Sequence, residues 1–271
     1  MKLCYVHVVT EECSQSFLRI LKKNIKEVVM EGTEITIRSV KPGLDRASDL
    51  HPYFHFLNKF SILERIIDAE QENYDAVIIG CYMDPVVREA RATVSIPVIG
   101  IAQASMLLAC QLGYRFAVVT LNEPGIFPDM LDYIRIQGLE SRAISRPIRP
   151  IKMSTYEAFT KGIENPILVA QDIQDRAREC AKEGAEVVIV GCNGLGPLCT
   201  AAGMTQLEPE GIPILDCTAV GLKTAEFICQ TCARLRIPAV SRAFHYVLPT
   251  TKDLNRVRTI FGLKPKEPYQ D

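Results

Sequence analysis

Residues 74–85 read YDAVIIGCYMDP. Ala76 to Ile79 form a continuous apolar run rather than an alternating one, the pattern of a parallel strand covered on both faces. The run stops at Gly80-Cys81 and passes directly into Asp84-Pro85. Asp84 suits a helix N-cap and Pro85 the first helical position, so Cys81 falls between the C-terminal end of a strand and the positive end of a helix. In open α/β sheets that crevice is where ligands bind. A helix N-terminus also lowers a thiol pKa, so a cysteine placed there is expected to titrate below the free value of about 8.5.

Working outward, strands and helices alternate along the chain. KLCYVHVVT, TEITIRSV, DAVIIG and IPVIGI read as strands, with helices over 14–30 and 53–70, a short one opening at Pro85, and one over 104–112 stopping at Gly113. The pattern then restarts with YRFAVVT, a helix over 124–137, ESRAIS, a helix over 166–183, AEVVIVG, GIPILDC and a last long helix over 218–235. A tail with prolines at 249, 265 and 268 follows. Such alternation implies an α/β fold with parallel sheets.

The restart is an internal repeat. Thr10 and Thr120 end the first strand of each half, an offset of 110, while Cys81 after Ile-Ile-Gly and Cys192 after Ile-Val-Gly stand 111 apart. Ile-Pro-Val-Ile at 96–99 and Ile-Pro-Ile-Leu at 212–215 are 116 apart. The expected architecture is two pseudo-symmetric halves, each a roughly four-stranded parallel sheet flanked by helices, with the active site in the cleft between them. Residues 1–104 plus 213–271 would form the first half and 105–212 the second. The repeat pairs Cys81 with Cys192 and aims both thiols into one cleft.

Two opposed thiols suit the inversion of a carbon stereocentre, which needs a base on one face and an acid on the other. Cysteine serves in either role once its site tunes it. The loops GCYMDP and GCNGLGP also present backbone N–H groups, expected to stabilise the enolate oxygen that forms when the α-proton leaves. No metal or organic cofactor is required for such a reaction on a carbon that is already acidic.

Composition narrows the partners. The net charge of −1, from 31 basic and 32 acidic residues, leaves no nucleic-acid footprint or polybasic membrane patch. No apolar run approaches the roughly 18 residues of a membrane span, and MKLCYVHVVTEEC reads as a first strand rather than a secretory signal. The ten cysteines therefore read as reduced thiols of a cytoplasmic protein. A small-molecule substrate and further copies of the same chain, in a homo-oligomer, are the expected partners.

GCYMDP and GCNGLGP, with IPVIGIAQAS, YRFAVVT, IPILDCTAVGLKTAE and the late SRAFHYVLP, resemble the aspartate/glutamate/hydantoin racemase superfamily over nearly the whole chain, and most closely its hydantoin and allantoin racemase branch. The resemblance implies a cofactor-independent racemase or epimerase with Cys81 and Cys192 as its acid–base pair. Thr10, Tyr82, Met83, Thr120, Asn193 and Gly194 would then contact the substrate. A cis–trans isomerase or decarboxylase of the same superfamily, with one cysteine as nucleophile, or a ligand-binding relative without turnover, are the alternatives. The chain departs from the branch at two places. His7-Val8-Val9-Thr10 stands where Asn-Pro-Asn-Thr is usual, and Gln103 replaces a glutamate in Gly-Ile-x-Glu-Ala.

Other candidates have simpler readings. Cys229 and Cys232 have redox-motif spacing but fall within a helix. His51 and His55 are four apart but lie among aromatics with no nearby glutamate, so packing or exposure is expected rather than a metal site. Cys4, Cys110 and Cys180 read as core, whereas Cys13, Cys199 and Cys217 lie nearer strand ends, and Cys217 is a candidate for the cleft wall. Strand ends alone also favour threonine at 10 and 120.

Overall fold

Four parallel strands, β1 (Lys2–Val9), β2 (Glu34–Leu44), β3 (Ala76–Gly80) and β4 (Val98–Gly100), form one sheet in the order β2-β1-β3-β4 in the computed structural model. The structure describes residues 1–46 and 49–266, and Pro268 of the tail lies outside the described residues. Helices α1 (Gln15–Val28), α2 (Pro52–Gln71) and α3 (Val87–Arg91) connect these strands, and α4 (Ile101–Leu112) leads out of the sheet. The second sheet holds β5 (Phe116–Thr120), β6 (Ala143–Pro150), β7 (Val187–Val190), β8 (Gln206–Leu207) and β9 (Ile212–Asp216), ordered β6-β5-β7-β9-β8. All its pairings are parallel except the two-residue β8 against β9. Helices α5 (Phe127–Ile136), α6 (Thr155–Phe159), α7 (Lys161–Glu164), α8 (Pro166–Lys182) and α9 (Leu195–Ala201) belong to this half, followed by α10 (Cys217–Leu235) and α11 (Thr251–Ile260). No helix among the described residues is long and apolar enough to cross a membrane.

The continuous apolar runs are explained by where alternate residues go. On β1, Leu3 and Tyr5 enter one core while Cys4 and Val6 enter another; on β3, Ala76 and Ile78 separate in the same way from Val77 and Ile79. On β5 and β7, Phe116, Val118, Val187 and Ile189 join the first of these cores, while Ala117, Val119, Val188 and Val190 fill a third. Each half thus has its own outer core, and both inner faces share a central one. Each fully buried large aliphatic side chain contributes roughly 1.5–3 kcal/mol, so every strand leading to the cleft is held from both sides.

Helices α4 and α10 cement the halves. They pack on each other, α4 also reaches β7 and β9, and α10 reaches β3 and α1. A Cβ on Gly221 of α10 would come 2.5 Å from the Ile101 side chain, which shows how closely the pair approaches. The return to the first half therefore begins with α10. The expected boundary at 212/213 is corrected, because it falls inside β9, which pairs with β7 and completes the second sheet. Likewise ESRAIS is not a strand throughout: residues 140–142 form a 3-10 turn, and β6 runs from Ala143 to Pro150.

Asp84 departs from the expected role in an instructive way. It takes a left-handed backbone conformation (φ 43°), and α3 starts only at Val87. Its carboxylate instead caps α4, accepting from the backbone N–H groups of Ala102 (3.0 Å) and Gln103 (2.8 Å) and from the Tyr133 hydroxyl (2.8 Å). The second half builds the same cap differently. Asp216 is itself the N-cap of α10, accepting from Thr218 N–H (2.8 Å), Ala219 N–H (3.3 Å) and the Thr200 hydroxyl (2.8 Å). In each half a glycine stands opposite the carboxylate. A Cβ on Gly100 would lie 2.2 Å from the Asp84 carboxylate, and one on Gly196 would lie 2.2 Å from that of Asp216. The repeat conserves the position of the charge while exchanging which segment carries it.

Gly100→Ala and Gly196→Ala are therefore expected to lose about 1–3 kcal/mol in urea unfolding, the range for forced overpacking. Gly125→Ala, where a Cβ meets nothing within 4 Å, should stay within about 0.5 kcal/mol of wild type.

Candidate active site

A cavity of about 1120 Å³ opens at the C-terminal ends of the strands, between the halves. The β3–α3 loop contributes Cys81, Tyr82 and Met83 to its wall, and the β7–α9 loop contributes Cys192, Asn193 and Gly194. Both cysteines are half-buried and free. Cys81 leans on the outer core of its half and Cys192 on that of the other, so the repeat is preserved down to the packing of the two sulfurs. The glycine before each has a steric reason. A Cβ on Gly80 would meet the Tyr5 ring at 2.6 Å, and one on Gly191 would meet Val118 at 2.2 Å.

The expected depressed thiol pKa is not what the site provides. Cys81 is pushed up to about 12, mainly by burial, against a backbone N–H bond from Met83 and with a smaller upward push from negative charge on Asp84 or Cys192. Burial also raises Cys192, opposed by the N–H groups of Leu195 and Gly194. The helix that was to lower Cys81 begins two residues later than Pro85, and withdrawal from water outweighs the amide dipoles that remain. The loop N–H groups also have a different target from the expected enolate oxygen: Gly194 N–H points at Cys192 Sγ (3.4 Å).

The neighbouring groups are fixed by cross-half contacts. The Tyr5 hydroxyl donates to Asn193 Oδ1, and the Thr218 hydroxyl donates to the same oxygen at 3.2 Å. Burial raises the Tyr5 pKa well above the ordinary phenol value, so Tyr5 remains a donor. Thr120 lines the cavity, but its hydroxyl donates to the Gly191 carbonyl (2.8 Å) and thereby holds the Cys192 loop. Thr10 is not part of the cavity wall; its hydroxyl turns to Cys13 Sγ at 3.6 Å. Cys217 is fully buried and also off the wall. Burial raises Asp84 to about 6, against its three hydrogen bonds. Gln103 lines the cavity, accepts from Arg91 (2.9 Å) and donates to Gln137 (2.7 Å).

The residue that sequence reasoning passed over is His7. In the first half Val6 pairs with Ile79, and in the second Val119 pairs with Val190. Each partner lies two residues before its cysteine. Counted back from the cysteines, the equivalent of Thr120 is therefore His7, which pairs with Gly80, and not Thr10. Alignment on the two threonines misses this by three residues, because the register, not the residue type, marks the cleft.

Among the described residues no group of three His, Cys, Asp or Glu is placed to hold a metal ion. His51 is the N-cap of α2, accepting from Tyr53 N–H at 3.2 Å. Cys229 and Cys232 lie inside α10.

The family described as Asp/Glu/Hydantoin racemase matches residues 6–225. The hydantoin racemase of Pseudomonas sp. strain NS671 is 30% identical over 224 residues, covering 82% of this chain and 85% of its own. The hydantoin racemase of Paenarthrobacter aurescens is 23% identical over 90% of this chain and 97% of its own. The allantoin racemase from Klebsiella pneumoniae shares the fold, with a TM-score of 0.76 at 19% identity over 92% of this chain and 94% of that one. With the site's geometry and these likenesses together, the chain belongs to the Asp/Glu/hydantoin racemase family and is an isomerase of the racemase type.

Proposed function

We propose that this protein is a cofactor-independent racemase or epimerase that inverts an acidic carbon stereocentre of a hydantoin-like or amino-acid-derived substrate by proton transfer between Cys81 and Cys192. The observation that carries this reading is the placement of two repeat-equivalent thiols on the walls of one cavity. The hydantoin racemase relatives favour a cyclic amide. One cysteine, as thiolate, takes the α-proton, and the electron pair of the broken C–H bond moves onto the adjacent carbonyl as an enolate. The opposite thiol returns a proton to the other face and is left as the thiolate, so the two roles are exchanged after each turnover. Tyr82, Met83, Asn193 and Gly194 border the substrate, and Thr120 fixes the loop that carries Cys192.

The raised thiol pKa values have a kinetic consequence. Near neutrality the resting site holds two protonated thiols, so the reactive thiolate is scarce, and a thiolate of high pKa is a stronger base once formed. Because the pKa of each thiol is raised, the thiolate fraction grows as pH increases towards those values and falls as pH decreases. kcat/KM for a 5-substituted hydantoin should rise by about tenfold per pH unit between pH 6 and 8; a plateau across that window would contradict raised values. Iodoacetamide labelling of both cysteines should be slow at neutral pH and accelerate over the same range.

Cys81→Ser and Cys192→Ser should each lower racemisation by more than roughly 10²-fold, the low end for a positioned acid–base group, with thermal midpoints near that of wild type. Wild-type turnover in either variant would refute the two-cysteine mechanism.

A further inference from the structure

His7 is 3% exposed, lines the cavity, and has no hydrogen-bond partner at either Nδ1 or Nε2. Buried polar groups are almost always paired, so two orphaned nitrogens on one ring call for a specific explanation. The ring is held by a stack on Phe17, with centroids 5.8 Å apart and planes at 26°. Through the β1–β3 pairing it sits opposite Gly80, one residue from Cys81. Its equivalent in the second half, Thr120, has its polar atom engaged by the Gly191 carbonyl. The pseudo-symmetry therefore fails at this one level, and the residue left with unpaired polar atoms is part of the cavity wall. Tyr82, also a residue of the wall, has a buried hydroxyl that is likewise without a partner. Asn193, whose Oδ1 is occupied by Tyr5 and Thr218, has no acceptor for Nδ2 among the described residues.

From this geometry we infer that His7 is a substrate-contacting, specificity-determining residue whose imidazole edge, with the Tyr82 hydroxyl, binds the uncharged amide edge of the ligand. The inference rests on the cyclic-amide reading above. Burial lowers His7 to about 4, so at working pH the ring is neutral and offers one donor and one acceptor. An amide edge presents the complementary acceptor and donor. The charged groups near the thiols do not compete for this role. Asp84 caps α4, and Arg91 is held by the Val98 carbonyl and Gln103. Apart from half-buried Asp49, the cavity's remaining charged side chains are exposed. A site whose unpaired deep polar groups are neutral favours a ligand whose own reading edge is neutral, because an isolated buried charge would lack a partner.

The test uses unsubstituted hydantoin as the probe, measured by isothermal titration calorimetry. Wild type and Cys81→Ser should bind it, His7→Leu should bind at least 10-fold more weakly, and His7→Gln, which keeps a donor and an acceptor, should recover part of that loss. The His7→Leu thermal midpoint should equal or exceed that of wild type, since leucine of similar volume removes two unpaired buried polar atoms. In wild type labelled with ¹⁵N-histidine, both His7 nitrogen resonances, identified by their loss in His7→Gln, should shift on adding hydantoin. Equal affinity in His7→Leu, unmoved His7 resonances, or a lowered midpoint in His7→Leu would overturn the inference while leaving the two-cysteine reading intact. Failure of wild type to bind hydantoin would instead remove the cyclic-amide reading, and this inference with it.

Discussion

The structure depends on double-sided burial of the strands that carry the two cysteine loops. β3 and β7 each present alternate residues to an outer core and to the core shared by both halves. A strand held from both faces cannot slip by one residue without exchanging its two sets of side chains. The tips of β3 and β7 are thus fixed relative to each other through the shared core, and the cleft inherits that rigidity. The paired helices α4 and α10, whose N-termini are capped by Asp84 and Asp216, close the same core. Preorganisation of this kind is what the proposed two-sided proton transfer demands, since both sulfurs would have to address one carbon in a near-attack geometry.

The same burial sets the chemical character of the thiols. A cleft between two halves withdraws both sulfurs from water, and the few backbone N–H groups directed at them only partly offset that loss. Burial thus favours the protonated form of both thiols over standing thiolates, and in the proposed mechanism each would be a strong base once deprotonated. This suits abstraction of a weakly acidic carbon-bound proton, where basicity matters more than abundance of the thiolate, and it keeps the resting site unreactive towards adventitious electrophiles. Distribution of carboxylates follows a similar logic. Asp84 is buried on the cavity wall and Asp216 is half-buried at the equivalent helix start, yet both are engaged by helix N-termini and hydroxyls.

Much of this was legible in the sequence. Continuous apolar runs ending in Gly-Cys marked two buried parallel strands, and the offset of 111 between Cys81 and Cys192 paired them before any geometry was available. What escaped had three-dimensional causes. Asp84 followed by Pro85 has the local signature of a cap on the next helix, but the carboxylate caps α4, which starts 17 residues beyond Asp84 at Ile101. A cap supplied across the fold leaves no local trace. Thr10 matched Thr120 by residue type, yet sheet register placed His7 at the equivalent level, and register is set by pairing with β3 rather than by β1 alone. The expected boundary at 212/213 cuts through β9, whose hydrogen bonds go to β7; the sequence repeat pairs β9 with β4 but does not mark where the chain returns to the first half. Short α6, α7 and α9 lie below the length at which hydrophobic periodicity can speak.

The most direct test of two-sided proton transfer is racemisation of one enantiomer of a 5-substituted hydantoin by the wild-type enzyme in heavy water, analysed at low conversion. If Cys81 and Cys192 act from opposite sides of the carbon, as proposed, the newly formed enantiomer should carry deuterium at the stereocentre while the remaining starting enantiomer keeps its proton, because the abstracting and donating groups differ. Equal deuterium in both enantiomers from the earliest times would show a single group serving both faces and would contradict the two-cysteine mechanism.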